Sequence, residues 1–327
     1  MENKRALITG INGQDGSYLA EFLLGKGYEV FGTIKRNSVS ENQTSRLDSV
    51  YSKIKDNLIY ADLLDVPSLL HALKISDPCE VYNLAAQSHV RISFDQPVYT
   101  AQATGLGTLN LLEAIRLHNT NIRMYQASSS EMFGNSIDSD GYQRETTPMN
   151  PVSPYGCAKV FSYNICRNYR NSYDMFISNG ILFNHESPRR GTNFVTNKVV
   201  KAAVRIKLGL ENELLLGNLN ATRDWGHAKD YVEAMWMLLQ QEKSGDYVCS
   251  TGISHSVLEL VEYVFGKLDI DWKTYVKTDS KFLRPEELED LKGDSLKLRS
   301  DTGWTPKYTF ETMLDEMITH WLDHYKR

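Results

Sequence analysis

The sequence predicts an α/β fold, in which a doubly wound parallel sheet is followed by a smaller, discontinuous C-terminal domain. Two patterns predict it. Short apolar segments alternate with longer amphipathic ones through the first half of the chain, and a glycine-rich turn joins the first of each. Composition supports the prediction, because 327 residues, 41% of them hydrophobic and 24% charged, provide a sizeable core and about two domains of ~150 residues.

The elements of the first half follow from hydrophobic periodicity. Strands are predicted where β-branched and aromatic residues form short apolar runs, and helices where apolar residues recur every three or four positions. The predicted strands are 5–9, 29–34, 58–61, 80–84, 122–127 and 175–182, and the predicted helices are 17–24, 66–73, 100–117 and 155–173.

The pattern changes after residue 184, where helices predominate and the alternation becomes irregular. Helices are predicted over 195–208, 229–240, 256–267 and 310–325. We therefore expect a first domain over residues 1–184, with added pieces from 215–250, and a second domain mainly over 185–327. Strand order does not follow from this pattern.

Charge and apolar runs exclude several classes of protein. The net charge is −5 without a long run of either sign, so we expect no nucleic-acid partner and no membrane surface. The apolar stretches fall short of the ~20 residues that span a bilayer. The N-terminus has no signal-peptide core, and the four cysteines are scattered without a CxxC pair, which predicts a cytoplasmic protein with reduced thiols. Cys157 and Cys166 are interpreted as small core residues.

The glycine-rich turn has the spacing GxxGxxG, with Gly10, Gly13 and Gly16 between the first strand and the first helix. The first glycine permits a tight turn, the next lets a pyrophosphate approach the backbone, and the last allows close helix–strand packing. The free N–H groups at the start of the helix suit phosphates. The alternative is a glycine turn without a ligand, but its place at the first strand–helix junction favours a dinucleotide.

The end of the second strand indicates which dinucleotide. NAD sites carry an acidic residue about 20 positions beyond the glycines. Here positions 30–40 contain neither Asp nor Glu, and Lys35, Arg36, Asn37 and Ser38 follow the strand. A guanidinium beside small polar groups suits a 2′-phosphate, so NADP is predicted, with a solvated basic turn as the alternative.

Two further strand ends supply candidate cofactor contacts. Asp62 and Leu63 follow the third strand and are predicted to contact the adenine. Leu84, Ala85 and Ala86 follow the fourth strand and offer small side chains beside the cofactor.

A catalytic pair is predicted on the helix at 155–173. Tyr155 and Lys159 are four residues apart, so they share one helix face, and a nearby ammonium is expected to lower the pKa of the phenol. The run Ser128-Ser129-Ser130-Glu131 follows the fifth strand, where such sheets place their active sites. A bare YxxxK is weak evidence, but together with the glycine turn it favours catalysis.

These motifs resemble the extended short-chain dehydrogenase/reductase superfamily and, within it, the GDP-mannose 4,6-dehydratase family. The resemblance spans nearly the whole chain. It is carried by GINGQDGSYLAEFLL from Gly10, QASSSEMFG from Gln126, SPYGCAK from Ser153, GILFNHESPRRG from Gly180 and RDWGHAKDYV from Arg223.

The resemblance implies a role for each matching position. The catalytic residues would be Ser129, Glu131, Tyr155 and Lys159. The NADP contacts would be Gly10, Asn12, Gly13, Gln14, Asp15, Gly16, Arg36, Asn37, Asp62, Leu63, Leu84, Ala85, Ala86, Ser88, Tyr99, Lys159, His185 and Arg190. The GDP-sugar contacts would be Ser88, Ser129, Glu131, Tyr155, Asn184, Val195, Lys198, Gly217, Arg223, Arg284 and Glu287, with Arg284 as a phosphate clamp.

The chain departs from the family pattern at three places. Serine stands at 129 where the family has threonine, which keeps the hydroxyl but loses a methyl group that restricts the rotamer. The segment 269–282 is shorter than in many relatives, and Ser295 replaces a proline. We expect the first change to tune the rate and the others to alter the GDP pocket.

The resemblance implies the conversion of GDP-D-mannose to GDP-4-dehydro-6-deoxy-D-mannose and water, with hydride passing from C4 to C6 through NADP. That is a first step towards GDP-fucose or GDP-rhamnose. It also implies a homodimer through helices 100–117 and 155–173, or a homotetramer that adds the 35–46 loop.

Two alternative functions stay open on the same scaffold, a 4-keto-6-deoxysugar reductase and a nucleotide-sugar epimerase. Glu131 argues against a simple reductase and a C4 epimerase, since neither reaction needs a base for the C5 proton. An NADP-sensing protein without activity is disfavoured because all four catalytic groups are present.

No metal site is predicted. His320 and His324 form an HxxxH pair without a third ligand, so they are interpreted as cations near a helix C-terminus. Trp225 is expected either in the core or beside the sugar.

Overall fold

The fold is seen in a computed structural model that describes residues 4–36, 44–282, 286 and 288–326. The strands are β1 Arg5–Thr9, β2 Glu29–Ile34, β3 Leu58–Tyr60, β4 Glu80–Asn83, β5 Arg123–Ser129, β6 Ile177–Leu182, β7 Asn184–Glu186, β8 Leu214–Leu216, β9 Thr222–His227, β10 Asp246–Cys249, β11 Ser254–Ser256, β12 Val276–Thr278 and β13 Asp290–Leu291.

The helices alternate with these strands. They are α1 Gln14–Gly25, α2 Tyr51–Ile54, α3 Val66–Ser76, α4 Val90–Asp95, α5 Pro97–Thr100, α6 Gly107–His118, α7 Pro154–Tyr173, α8 Val195–Lys207, α9 Ala228–Leu239, α10 Val257–Lys267, α11 Trp272–Tyr275, α12 Leu296–Thr302 and α13 Phe310–Lys326. Short 3₁₀ turns lie at Ser45–Leu47, Lys55–Asn57, Ser130–Met132 and Ser280–Phe282, and a π-helical segment at Ala101–Leu106.

Seven of the described strands form one parallel sheet in the order β10-β6-β5-β4-β1-β2-β3. The chain moves outward from β1 through β2 to β3 and then crosses to β4 on the other side of β1. This reversal opens a crevice at the carboxyl ends of β1 and β4, where ligands of such sheets bind. The prediction of a doubly wound α/β fold is confirmed.

Both faces of the sheet are buried, as a parallel sheet requires. Ile8 of β1 lies in a core with α1 and α9, while the next residue back, Leu7, points to the opposite face and packs with α3, α6 and α7. The segment 228–249 thus returns to the large sheet, with α9 against α1 and β10 at the edge.

A separate apolar core forms between α8, α10 and α13. It includes Trp225, which is buried and stacks on Phe310 with ring centroids 5.9 Å apart, so this tryptophan packs the core. Strands β7, β9, β11 and β13 form a small sheet, and β8 pairs with β12.

Most predicted elements are found within a few residues of their predicted ends. The predicted helix 100–117 is instead divided into α5, the π-helical segment and α6. A Cβ on Gly107 would lie 2.8 Å from the Cβ of Leu63, and one on Gly105 would contact Phe161 at 3.5 Å. Small residues therefore let this region approach β3 and α7 closely.

Two smaller predictions have definite outcomes. Cys166 is buried as expected, but the prediction for Cys157 is wrong, because its position on α7 faces outward and leaves it exposed.

No helix in the described part of the chain is both long and apolar enough to cross a membrane.

Candidate active site

The glycine turn has the geometry that its spacing predicts. Gly10 has φ +68°, and a Cβ there would lie 3.0 Å from the Cα of Ala85 after β4. A Cβ on Gly16 would lie 2.5 Å from the carbonyl oxygen of Gly10. Glycine is therefore required at both positions, once for a left-handed conformation with a close neighbour and once for packing α1 against the turn.

The N-terminus of α1 is free of side-chain capping. Gly13 is the N-cap residue, and no side chain accepts a hydrogen bond from the first turn. A 12-residue helix has a positive dipole end there, with N–H groups that lack helical partners. The arrangement suits the pyrophosphate of a dinucleotide.

Candidate residues from six strands gather at one edge of the large sheet. Since all its strands are parallel, the residues that end or follow each strand meet at the carboxyl edge. They are Gly10 after β1, Arg36 after β2, Asp62 after β3, Leu84 after β4, Ser129 at the end of β5 and His185 after β6.

Asp15 and His185 form a buried pair across this edge. His185 Nε2 lies 2.8 Å from Asp15 Oδ2, and Nδ1 lies 2.7 Å from the carbonyl oxygen of Phe183. Burial opposes both charges, but each group favours the charged form of the other, so the pKa of Asp15 is lowered and that of His185 is raised. Both ring nitrogens face acceptors, which fits an imidazolium.

Polar contacts join the glycine turn to the segment that follows His185. Gln14 Nε2 donates to the carbonyl oxygen of His185 at 3.1 Å, and the Ser187 hydroxyl donates to Gln14 Oε1 at 2.8 Å. Arg190 forms an ion pair with buried Glu186, with 3.0 Å between Nε and Oε2. Residues 185–190 are thus held beside the N-terminus of α1.

The second-strand end carries two exposed cations. Lys35 pairs with Asp62 at 3.0 Å and donates to the Tyr99 hydroxyl at 3.1 Å, while Arg36 donates to the Tyr60 hydroxyl at 3.3 Å. Asp62 and Tyr99, both predicted cofactor contacts, thus lie beside this cation pair. Asn37 lies outside the described residues.

The residues after β4 are fixed from β1. The hydroxyl of Thr9 accepts the N–H groups of Leu84 at 3.1 Å and Ala85 at 3.2 Å. Ala85 thereby lies opposite Gly10, and Leu63 is buried in the apolar cluster against which Ala85 packs. Ala86 is the next residue and is partly exposed. Ser88 lies further out, on the exposed side.

The predicted catalytic residues lie together. Ser129 ends β5, Glu131 lies in the following 3₁₀ turn, and Tyr155 and Lys159 lie on the first turns of α7; all four side chains are buried. The Ser129 hydroxyl accepts the N–H of Glu131 at 3.2 Å and is hydrogen-bonded to the Tyr155 phenol.

The start of α7 is positioned by its own sequence. The Ser153 hydroxyl accepts the N–H of Gly156 at 3.0 Å, and proline occupies the first helical position. A Cβ on Gly156 would lie 2.8 Å from the Glu131 carbonyl oxygen, so the glycine lets α7 approach the turn that carries Glu131.

The predicted effect of Lys159 on Tyr155 is not found. Burial raises the pKa of Tyr155 to about 12, and the bond from Ser129 only partly opposes it. The Lys159 Nζ is 5.7 Å from the ring centroid of Tyr155 and donates to the Ala127 carbonyl oxygen at 2.6 Å. Burial also lowers the pKa of Lys159 to about 8, which weakens its influence as a cation.

The predicted GDP-sugar contacts other than Ser88, Ser129, Glu131 and Tyr155 lie after β6, outside the first half of the chain. Asn184 is in β7, while Val195 and Lys198 are on α8. Lys198 Nζ donates to the Leu215 carbonyl oxygen at 2.6 Å and lies 3.7 Å from the ring centroid of Phe282.

Gly217 and Arg223, which are also predicted substrate contacts, lie beside Phe282 and Leu288 respectively. A Cβ on Gly217 would lie 2.9 Å from the Phe282 carbonyl oxygen. Buried Arg223 donates to the Leu288 carbonyl oxygen at 3.1 Å. The predicted contacts Arg284 and Glu287 lie outside the described residues.

Sequence reasoning missed several residues of this region. Phe282 covers Lys198, Tyr231 stacks on His185 with ring centroids 4.5 Å apart, and Arg46 and Arg189 connect loops near the glycine turn. Asp224 is also buried and accepts N–H groups from Thr251 and Gly252 at 2.9 and 2.8 Å. Arg189, Asp224 and Tyr231 lie within the motifs that carry the family resemblance, whereas Arg46 and Phe282 do not.

Across the described ranges, no cluster of three or more His, Cys, Asp or Glu side chains is arranged to hold a metal ion. His320 and His324 lie with ring centroids 6.5 Å apart.

Comparisons with known proteins agree on one protein family along nearly the whole chain. A family model described as GDP-mannose 4,6 dehydratase matches residues 7–317. GDP-mannose 4,6 dehydratase 2 of Arabidopsis thaliana is 50% identical over 99% of this chain and 88% of its own length. The human GDP-mannose 4,6 dehydratase is 46% identical, over 96% of this chain and 90% of its own.

A solved structure shows the same fold. DesIV, a dTDP-glucose 4,6-dehydratase from Streptomyces venezuelae with NAD and TYD bound, aligns with a TM-score of 0.86 at 23% identity. The alignment covers 98% of each chain.

Proposed function

The chain belongs to the GDP-mannose 4,6-dehydratase family, and from this premise we propose that Ser129, Glu131, Tyr155 and Lys159 catalyse its reaction with NADP as cofactor. The enzyme is a hydro-lyase that converts GDP-D-mannose to GDP-4-dehydro-6-deoxy-D-mannose and water. The observation that carries the residue assignment is the buried contact of Ser129 with both the Glu131 backbone and the Tyr155 phenol.

When bound, NADP supplies a reversible hydride acceptor, so that hydride leaves C4 of the sugar and returns at C6 without net oxidation. The phenolate form of Tyr155 takes the proton of O4, and Ser129 donates a hydrogen bond to the same oxygen. The resulting 4-ketone acidifies the C5 proton.

Glu131 then removes the C5 proton and delivers it to O6, which leaves as water. A carboxylate suits this double role because it acts first as base and then as acid. The proton taken from O4 balances the one that C5 regains. Glu131 is the residue that separates this reaction from simple reduction or C4 epimerisation, neither of which breaks a C5–H bond.

The choice of NADP rests on the second-strand end. Positions 30–40 carry no Asp or Glu, and Arg36 is exposed there with only a phenolic hydroxyl as its hydrogen-bond partner among the described residues. A 2′-phosphate would pair with this guanidinium. We expect tighter binding of NADP than of NAD, and loss of that preference in Arg36→Ala.

Mass spectrometry of the protein incubated with GDP-mannose and catalytic NADP⁺ tests the reaction. We expect a product lighter by one water, with no accumulation of NADPH. Glu131→Gln should stop the elimination, whereas Glu242→Gln, on an exposed turn, should not. Unchanged GDP-mannose from folded, NADP-loaded protein would refute the substrate assignment.

We also propose a homodimer through the helices at 97–118 and 154–173. Large apolar side chains are exposed there, including Val98, Leu106, Leu117, Phe161 and Tyr173, with exposed fractions of 41–68%. We infer from these side chains that the two helices face a partner subunit. A tetramer would add the 35–46 loop, and the enzyme is expected to act in the cytoplasm.

A further inference from the structure

Arg46 lies where the glycine turn meets the 187–190 loop, beside the proposed cofactor site. It is in the 3₁₀ turn Ser45–Leu47, and its side chain is half-buried. Its Nε donates to the carbonyl oxygen of Arg189 at 2.8 Å, and its Nη1 donates to that of Asn12 at 3.4 Å. One guanidinium thus bridges the glycine turn and the 187–190 loop.

Arg189 continues the connection onto α1. Its Nη1 donates to the Ser17 hydroxyl at 3.0 Å, it pairs with Glu21, and its guanidinium carbon lies 4.0 Å from the ring centroid of Tyr18. The 187–190 loop is therefore clamped to α1 by Arg189 and to the glycine turn by Arg46.

The charges of the two arginines are balanced differently. Arg189 has Glu21 as a partner, but within the part of the chain that the structure describes the hydrogen bonds of Arg46 go to carbonyl oxygens, and it forms no ion pair with a carboxylate. Burial and the neighbouring Arg189 lower the pKa of Arg46. A half-buried cation without a counter-charge is costly unless an anion completes the site.

We propose that Arg46 is a positioning residue of the cofactor site, which holds the glycine turn against the 187–190 loop and supplies a positive charge for the phosphates of NADP. The inference rests on the proposed function, because it takes a phosphate-bearing dinucleotide as the ligand. It adds a residue that neither the glycine motif nor the second-strand basic pair contains.

If Arg46 had a purely structural role, the expected result for NADP binding would be different. Loss of the carbonyl contacts alone would lower stability without making NADP binding less sensitive to salt. A charge that acts on phosphates is screened by salt, so its removal flattens the salt dependence. The conservative change Arg46→Lys keeps the charge and should recover affinity even though it loses the two-pronged geometry.

The experiment measures NADP binding to the full-length, cofactor-stripped protein by isothermal titration calorimetry at several NaCl concentrations. The variants are Arg46→Gln, Arg46→Lys and, as a matched control, Lys53→Gln, which removes an exposed positive charge seven residues along the chain. Thermal unfolding of each apo variant runs in parallel.

We expect Arg46→Gln to raise the Kd for NADP about 10- to 100-fold, as for loss of one charge-assisted hydrogen bond, and to flatten its salt dependence. Arg46→Lys should recover at least half of the lost affinity on a logarithmic scale, and Lys53→Gln should bind like the wild type. Unchanged affinity in Arg46→Gln, or a loss with the wild-type salt dependence, would overturn the inference. Failure of the wild type itself to bind NADP would instead overturn the proposed cofactor.

Discussion

At the scale of single residues, Ser129 is the proposed catalytic residue where the resemblance leads us to expect a threonine. Its hydroxyl links the Glu131 N–H to the Tyr155 phenol, and both contacts need only the oxygen, which serine and threonine share. The methyl group of threonine would restrict the rotamer without adding a polar contact.

We expect Ser129→Thr to keep kcat within about threefold of the wild type, because the hydroxyl is retained. Ser129→Ala should lower kcat about 10- to 100-fold, as for loss of one hydrogen bond to an ionised group. Turnover of GDP-mannose followed by mass spectrometry measures both. Ser128→Ala is the control, since Ser128 points to the opposite side of β5; an equal loss there would contradict the assignment.

The protonation of the buried Lys159 side chain affects the stability of the fold. Its folded pKa of about 8 lies below its ordinary value of 10.5, so the unfolded chain binds more protons between these pH values and stability rises with pH across that window. Below pH 8 the buried ammonium destabilises the fold by about 3 kcal/mol at most.

Lys159→Met should therefore be more stable than the wild type by about 1–2 kcal/mol at pH 7, and inactive. The Ala127 carbonyl keeps a bond from Gln126 Nε2 at 3.2 Å, which limits the loss from the missing ammonium. Urea unfolding between pH 7 and pH 10.5 measures the difference, which should shrink as pH rises. A difference that does not change with pH would show that the ammonium is not destabilising.

At the scale of elements, α1 offers two glycines with opposite expectations. A Cβ on Gly16 would collide with the Gly10 carbonyl oxygen and the Ile11 backbone, whereas a Cβ on Gly25 would meet nothing within 4 Å. The same helix thus contains one glycine that the fold requires and one that it does not.

Gly16→Ala should lower the free energy of unfolding by about 2 kcal/mol or more and weaken NADP binding, because α1 must move away from the glycine turn. Gly25→Ala should raise stability by about 0.4–1 kcal/mol through the entropy of the unfolded chain. Chemical denaturation of both variants tests this pair, and equal effects would contradict the packing argument.

At the scale of the whole molecule, the exposed apolar side chains on the helices at 97–118 and 154–173 form the interface of the dimer that we propose. Phe161→Glu should shift the protein towards the monomer, because it buries a charge in the proposed interface. Light scattering after size exclusion measures the mass. Ile253→Glu is the control, since Ile253 is 60% exposed but lies between β10 and β11, outside both helices. A wild-type monomer would refute the proposed dimer.

The sequence by itself determined the fold class, the glycine turn and the YxxxK pair, because each depends on residues close together in the chain. Gly10 and Gly16 can be recognised from the sequence, because the turn and the start of the helix accept few residues other than glycine. Tyr155 and Lys159 can be recognised because their helical spacing puts them on one face.

Only the tertiary structure decided what depends on distant segments. Arg46 and Arg189 are 143 positions apart yet share a hydrogen bond, and no local sequence pattern predicts that contact. The strand order and the burial that raises the pKa of Tyr155 likewise arise from the assembled sheet and α7. Periodicity specifies which face of an element is buried, but the neighbours that bury it, and the electrostatic cost they impose, exist only after folding.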